Sequence, residues 1–365
     1  MNRENKIYLI KGKDIIKMTL DILEAMSPDI GKDKTKLIGI KPNLVCVSRA
    51  SQGATTHPEI VEGIIIYLKN NGYNNIVVTE SSWVGANTED AADFCGYTQL
   101  CAKYDIPFVN IKNTKPVKAQ KDGFELSVSE YINKISYLIN VPLIKGHCQT
   151  DITCALKNMK GLIPDVEKRR YHRIGLHKPI AYLNTIIKQD LIIADAICPD
   201  PYFEEGGRPH QMDMIAGAFD PVLMDSYAAT VLGYEPFDIE YIMLANNLGV
   251  GKVMDKKTEI IQIGDKTAIS EISQPDKKYL NLIEEDNACS ACHSHLVVAL
   301  ERLKNEGLVN QFAENICIGQ GYRGEKGTIG VGDCTSEFSY CQLGCPPSSG
   351  DIEAFLRDLI KQGKI

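Results

Sequence analysis

The chain has 365 residues and a formal net charge of −7, which argues against a nucleic-acid partner, since binding a phosphate backbone asks for a basic face. No apolar run approaches the ~20 residues of a membrane span, and the start, MNRENKIYLIKGKD, lacks the apolar stretch and small-residue cleavage site of a secretory leader. Twelve cysteines in a chain of this size point to metal or redox chemistry in the cytoplasm, because disulfide frameworks belong to small secreted chains.

Up to about residue 275, short apolar runs alternate with helical patterns, the signature of a parallel sheet with crossover helices. KLIGIKPN (Lys36 to Asn43) reads as a buried strand ending in a polar turn. HPEIVEGIIIYLKNNG (His57 to Gly72) reads as a helix, with Ile60, Ile64 and Leu68 four apart and Pro58 in the first turn. NIVVTES is the next strand, EDAADFCGYTQLCAKYD one helix, and PFVNI (Pro107 to Ile111) a third strand. KISYLINVPLIKGH (Lys134 to His147) reads as a long strand interrupted at Pro142, and DLIIADAI as another. The intervening YHRIGLHKPIAYLNTIIKQ starts irregular and becomes helical. FDPVLMDSYAATVLG and EYIMLANNLG are helices, the first opened by Asp220 and Pro221 and closed by Gly233, and EIIQIG is a strand. A polar connector, Ser273 to Lys278, leads into a cysteine-rich tail.

Ligands of an open α/β sheet bind beyond the carboxyl ends of its strands. Lys41, Asn43 and Cys46 follow the first strand, Glu80 and Ser81 the second, Lys145, His147 and Cys148 the long one, and Cys198 and Asp200 the last. Within Lys145 to Arg173, the cations Lys157, Lys160, Arg169, Arg170 and Arg173 crowd together with Asn158 between the lysines. A lysine pair three apart repels unless an anion sits between. The expected site therefore binds a small anionic molecule, with Lys41, Lys145, His147 and Lys157 as catalytic candidates. Asn43, Asn158, Lys160 and Arg208, the last after the flexible pair Gly206-Gly207, are the substrate-binding candidates. A solvated basic face paired with Asp165 and Glu167 is the alternative. His147, His172 and His177 are candidate proton carriers.

In the tail, Cys289 and Cys292 form C-x-x-C, Cys334 ends a G-x-C, and Cys345 stands in G-C-P-P. The stretch reads as a ligand set rather than a core. No second C-x-x-C supplies the other half of a zinc ribbon, and a proline after a ligand cysteine is familiar from iron–sulfur sequences. Cys289, Cys292, Cys334 and Cys345 are the expected ligands of a [4Fe-4S] cluster, with zinc or unliganded thiols as alternatives. Cys341 competes with Cys345, and Cys317 reads as a small buried hydrophobe. His293 and His295 flank the motif and could be ligands, with a solvated or capping side chain as the plainer reading. A second metal centre from Cys46, Cys148, Cys154 and Cys198 competes with plain buried thiols.

KPNL (Lys41 to Leu44), TTHPEIVEGII (Thr55 to Ile65), ALKNMKG (Ala155 to Gly161), the Gly206-Gly207 turn and FDPVLMDSYA (Phe219 to Ala228) resemble the DUF362 family, whose members are often iron–sulfur-associated. The tail resembles the cysteine-rich extension of some members. It departs from those whose ferredoxin-like insert has paired C-x-x-C-x-x-C runs, so two ferredoxin clusters are not implied.

The expected fold is α/β, a largely parallel sheet with helices on both faces over residues 1–275, then a small cluster-binding region at 276–365. The expected function is a cluster-dependent oxidoreductase or lyase acting on a small anion. An electron carrier or cluster-delivery protein that meets a redox partner protein, and a scaffold with a structural cluster, are the competing readings.

Overall fold

The apolar runs of the longer part of the chain assemble into one eight-stranded sheet whose two faces are both covered, which is why its strands read as unbroken hydrophobic runs. The computed structural model describes residues 5–264 and 278–364. The chain divides into two units, one built from residues up to Lys168 and from Leu176 to Ser273, the other from Arg169–Gly175 and from Gln274 onward. The expected connector lies, apart from Lys278, outside the described residues.

The first unit opens with β1 (Lys6–Lys11) and α1 (Ile15–Met26), neither of which stood out in the sequence. Strand β2 (Ile38–Pro42), helix α2 (Pro58–Asn70) and β3 (Ile76–Glu80) follow as expected. The next helix breaks in two at Cys95–Gly96, giving α3 (Thr88–Phe94) and α4 (Tyr97–Tyr104), before β4 (Phe108–Asn110). A hairpin, β5 (Pro116–Lys121) and β6 (Phe124–Ser129), precedes β7 (Tyr137–Val141). The long strand through His147 is not continuous. Pro142 has no N–H to give a ladder, and β8 (Lys145–His147) leaves the sheet to pair antiparallel with β9 (Asp151–Thr153).

Helix α5 (Ala155–Asn158) leads to α6 (Asp165–Ile174), which includes Tyr171 to Ile174, expected to be irregular, and α7 (His177–Ile186) follows. β10 (Leu191–Ala196), β11 (Met214–Ala218), α8 (Pro221–Val231), α9 (Glu240–Asn247) and β12 (Glu259–Ile263) complete the unit. The strand order is β12-β1-β11-β10-β7-β2-β3-β4, and β11 alone runs against both of its neighbours. One face carries α1 and α2 on Ile38, Ile40, Ile76, Val78 and Ile139. The opposite face of the same strands, with Val77, Leu138, Ile192 and Ala194, is equally buried.

The second unit has a core of its own, contrary to the expectation of a bare ligand set. Strands β13 (Ile283–Glu285), β14 (Ile316–Ile318), β15 (Ile329–Val331) and β16 (Tyr340–Gln342) form a parallel sheet in sequence order. Helices α10 (Ser290–Asn305) and α11 (Ser349–Lys361) pack together. Leu296, Leu300 and Leu303 of α10, the four apolar residues of β14 and β15, and Ile352 and Leu356 of α11 are all buried. No described helix is long and apolar enough to cross a membrane.

Candidate functional site

The chain runs from β2 outward to β3 and β4 and then returns to place β7 on the other side of β2. In open α/β sheets such a reversal, here at the carboxyl ends of β2 and β7, is where ligands bind. Lys41 of β2 is there, paired in register with Asn140 of β7 and fully buried. Its ammonium donates to the Glu80 carboxylate at the end of β3, to Pro42 O at 2.9 Å and to Asn158 Oδ1 at 3.1 Å. Asn158, delivered by α5, also accepts from Asn43 Nδ2 at 3.0 Å and donates to Asn140 Oδ1 at 2.7 Å.

A second group adjoins the first through Asn43, whose Oδ1 accepts from Lys145 Nζ at 3.2 Å. Lys145 also donates to Ala54 O and Glu204 O. The Glu204 carboxylate accepts from Lys157 Nζ at 2.6 Å and stands 3.0 Å from His147 Nε2, without the straight approach of a good hydrogen bond. His147 Nδ1 accepts from the Gln149 and Thr150 backbone N–H groups, which places the ring proton on Nε2. Burial and the Lys157 charge push His147 down to about 3 against the pull of Glu204, so the ring is neutral near pH 7. Burial opposes ionisation of Glu204, but the charge of Lys157 and the His147 contact override it and hold the carboxyl well below its usual range.

An ammonium has three protons to donate. Those of Lys41 and Lys145 are occupied as described, and those of Lys168 go to Ser81 O, Ser81 Oγ and Ser82 O. Lys157 has two acceptors, Glu204 and Thr153 Oγ1. Lys160 stands apart: among the described residues its ammonium has no hydrogen bond or ion pair. Burial, with repulsion from Lys157, lowers it to about 7 against the attraction of Glu204. Burial likewise lowers Lys145 and Lys168 to about 8, opposed by Glu204 and Asp165 respectively. Geometry therefore leaves an anion the Lys160 ammonium and one proton of Lys157.

Gly161 makes this packing possible. A Cβ there would overlap Glu80 Oε1 and lie 2.6 Å from Lys41 Nζ. Gly161→Ala is expected to cost about 1–3 kcal/mol in urea unfolding. A loss below a few tenths would mean that the Lys41–Glu80 pair has room to move.

In the second unit, three loops leave the carboxyl edge of the small sheet with cysteines. Cys289 follows β13 as the N-cap of α10 with Cys292 in the first turn, Cys334 follows β15, and Cys345 follows β16. Gly332 and Gly344, at φ 95° and 143°, turn the chain just before Cys334 and Cys345. Hydrogen bonds from Asp333 N to Gly344 O and from Gly344 N to Asp333 Oδ1 tie these two loops together. A Cβ on Gly332 would stand 3.4 Å from Cys292 Sγ. Burial raises Cys292 to about 12, reinforced by the charges of Cys289, Cys345 and Cys334. Burial also raises Cys289, with Cys334 and Cys345 adding to it and Arg169 and Arg323 opposing. All four expected ligands thus lie within one another's field, and Gln320 Nε2 donates to Cys289 Sγ at 3.6 Å.

The sequence profile of the family described as "Domain of unknown function (DUF362)" matches residues 38–230, more than half of the chain. The chain belongs to the DUF362 family. It is 22% identical over 222 residues to the thylakoid-associated protein sll1697 of Synechocystis sp., covering 58% of this chain and 67% of that one. The lactate racemase apoprotein from Thermoanaerobacterium thermosaccharolyticum superposes with a TM-score of 0.39 at 13% identity, over 63% of this chain. This chain spans 57% of the length of that racemase.

In this DUF362 protein the expected site residues Lys41, Asn43, Lys145, His147, Lys157, Asn158 and Lys160 are held in the first unit. The amides of Asn43 and Asn158 are engaged by protein groups. His147 does not titrate near neutral pH. Arg208 is exposed, its guanidinium 5.6 Å from the Phe203 ring centre, and its backbone N–H donates to Asp200. Of the basic run, Arg169, Arg170 and Arg173 belong to the second unit. Glu80 was placed at a strand end but given no role, and Glu204 and Lys168 were passed over. Glu80 and Lys41 both end neighbouring parallel strands, a signal present in the sequence, whereas nothing local marks Glu204.

Cys317 is half-exposed beside Glu284, not buried, and Cys341 Sγ stands 3.3 Å from Thr335 Oγ1. His293 pairs with Glu285 and His295 with Pro347 O. Cys46, Cys148, Cys154 and Cys198 face different partners: Lys145, Lys160, Asp225 and His57. No group of three or more His, Cys, Asp or Glu among the described residues is set to hold a metal ion.

Proposed function

We propose that this DUF362 protein holds a [4Fe-4S] cluster on Cys289, Cys292, Cys334 and Cys345 and a small carboxylate or phosphate on Lys160 and Lys157, and acts on that anion as a cluster-dependent redox enzyme. The observation that carries the reading is the convergence of those four thiols at the carboxyl edge of the small sheet. A single zinc at its usual 2.3 Å bond length draws four sulfurs to about 3.8 Å from one another. A cluster, with each thiolate on its own iron, asks for a wider ring. Such a cluster supplies one-electron transfer or an iron Lewis acid. Binding it would take the four side chains as thiolates, so that assembly releases protons. All twelve cysteines are free, which suits a reducing cytoplasm.

Protein purified anaerobically should contain iron and acid-labile sulfide in matching amounts and give a cluster signal in electron paramagnetic resonance after reduction. Zinc without sulfide would overturn the cluster.

The anion site has a separate test. Phosphate or a small carboxylate at about 100 times its dissociation constant should add about 2.7 kcal/mol to unfolding. An anion favours protonated amines, and Lys160, Lys145 and Lys168 lose theirs between about 7 and 8. The rise in melting temperature should therefore be largest near pH 6 and fade above pH 8. The exposed thiol of Cys345 favours a second reading, an electron carrier whose cluster meets a redox partner protein. That reading moves ahead if a broad anion panel gives no shift at any pH.

A further inference from the structure

Asp195, at the carboxyl end of β10, is fully buried, and its Oδ1 accepts from the Ile197 backbone N–H. Its Oδ2 lies 2.8 Å from both the backbone nitrogen and Nδ1 of His57, the residue just before α2. The other ring nitrogen of His57, Nε2, faces Cys198 Sγ at 3.6 Å. A carboxylate thus fixes an imidazole, and the imidazole addresses a thiol. A carboxylate and imidazole alone would serve as a buried polar pair. The sulfur at the far ring nitrogen adds the third member of a nucleophile, base and orienting group.

We propose that Cys198 is a nucleophilic thiol, activated by His57 and aligned through it by Asp195, that takes an acyl group from an activated ester, thioester or acyl phosphate. Burial disfavours charge on His57, but Asp195, by charge and by hydrogen bond, overrides it and raises the imidazole to about 11, so the ring can hold the thiol proton. In the reaction the Cys198 thiolate attacks the acyl carbon. A carbon–sulfur bond forms, and the leaving group departs with its electron pair and the Nε2 proton. Water, giving its proton to the neutral imidazole, then attacks the thioester and releases the carboxylic acid and the thiolate. The net change is hydrolysis of the donor. Cys198 retains 5% of its surface and lies under the short turn Ala50–Gln52, where its sulfur also faces Ala50 O at 3.5 Å. Small acyl groups are the size class this admits.

The test is acetylation of the full-length protein by p-nitrophenyl acetate, followed by peptide mass mapping under conditions that preserve thioesters. Cys198 should gain an acetyl group, while Cys101, buried without an imidazole and raised to about 11, stays unmodified. His57→Gln should slow acetylation of Cys198 by about a hundredfold, and Asp195→Asn should slow it as well, with melting curves confirming that both variants are folded. Absence from the folded parent protein both of acetyl-Cys198 and of p-nitrophenol release above the rate of free cysteine overturns the proposal without reference to any variant. So does acetylation at an equal rate in folded His57→Gln.

Discussion

Glu204→Gln should lower the unfolding free energy by about 3–5 kcal/mol, because it removes one partner of a buried ion pair and leaves the other charged. Glu204 Oε1 is 2.6 Å from Lys157 Nζ, and its field also reaches Lys145 and Lys160. The carboxyl is held well below its ordinary 4.5. A depressed acid contributes stability that is fully present above its unfolded value and is lost as pH falls through its folded one. Urea unfolding at pH 7 thus reads the whole effect. Added phosphate should recover part of the loss and stabilise the variant more than the parent, since an anion replaces the missing charge. A loss under about 1 kcal/mol, or no preferential rescue, would mean that water already screens these lysines.

Cys289→Ser and Cys334→Ser should each remove nearly all cluster iron and sulfide, because a serine leaves one iron without its thiolate. Cys317→Ser and Cys341→Ser should leave both contents unchanged, since Cys317 faces Glu284 and Tyr322 and Cys341 faces Thr335. Cys95→Ala and Cys101→Ala, in the buried core of the first unit, should also leave them unchanged. Full iron and sulfide in both serine variants would sink the ligand assignment, and loss in either alanine variant would show that the cysteines are divided wrongly.

Much of this could be read from the chain because burial on both faces writes a strand as a continuous apolar run, as in Ile76–Glu80 and Leu191–Ala196. The same rule hid β1 and α1, where KIYLIKGKD mixes lysines into the run. The strands of the second unit were invisible for another reason. Three residues such as Ile316–Ile318 show neither period nor length, so a sheet of four passed for loop. Cysteine spacing still singled out the residues that the sheet brings together, since C-x-x-C and Gly before cysteine are local patterns. Glu204, Asp195 and His57 act through partners far away in sequence, and no window of the chain displays them.

The small sheet has a direction, and its two edges differ in how much variation in length they can absorb. Every expected ligand departs from the carboxyl edge, where Gly332 N bonds Gln342 O and Gly344 N bonds Asp333, so one residue added between Val331 and Cys334 would carry a sulfur out of the group. The segments entering β14 and β15, near Asn315 and Lys326, hold no expected ligand. Related chains should therefore drift in length before these strands while keeping a fixed count after them.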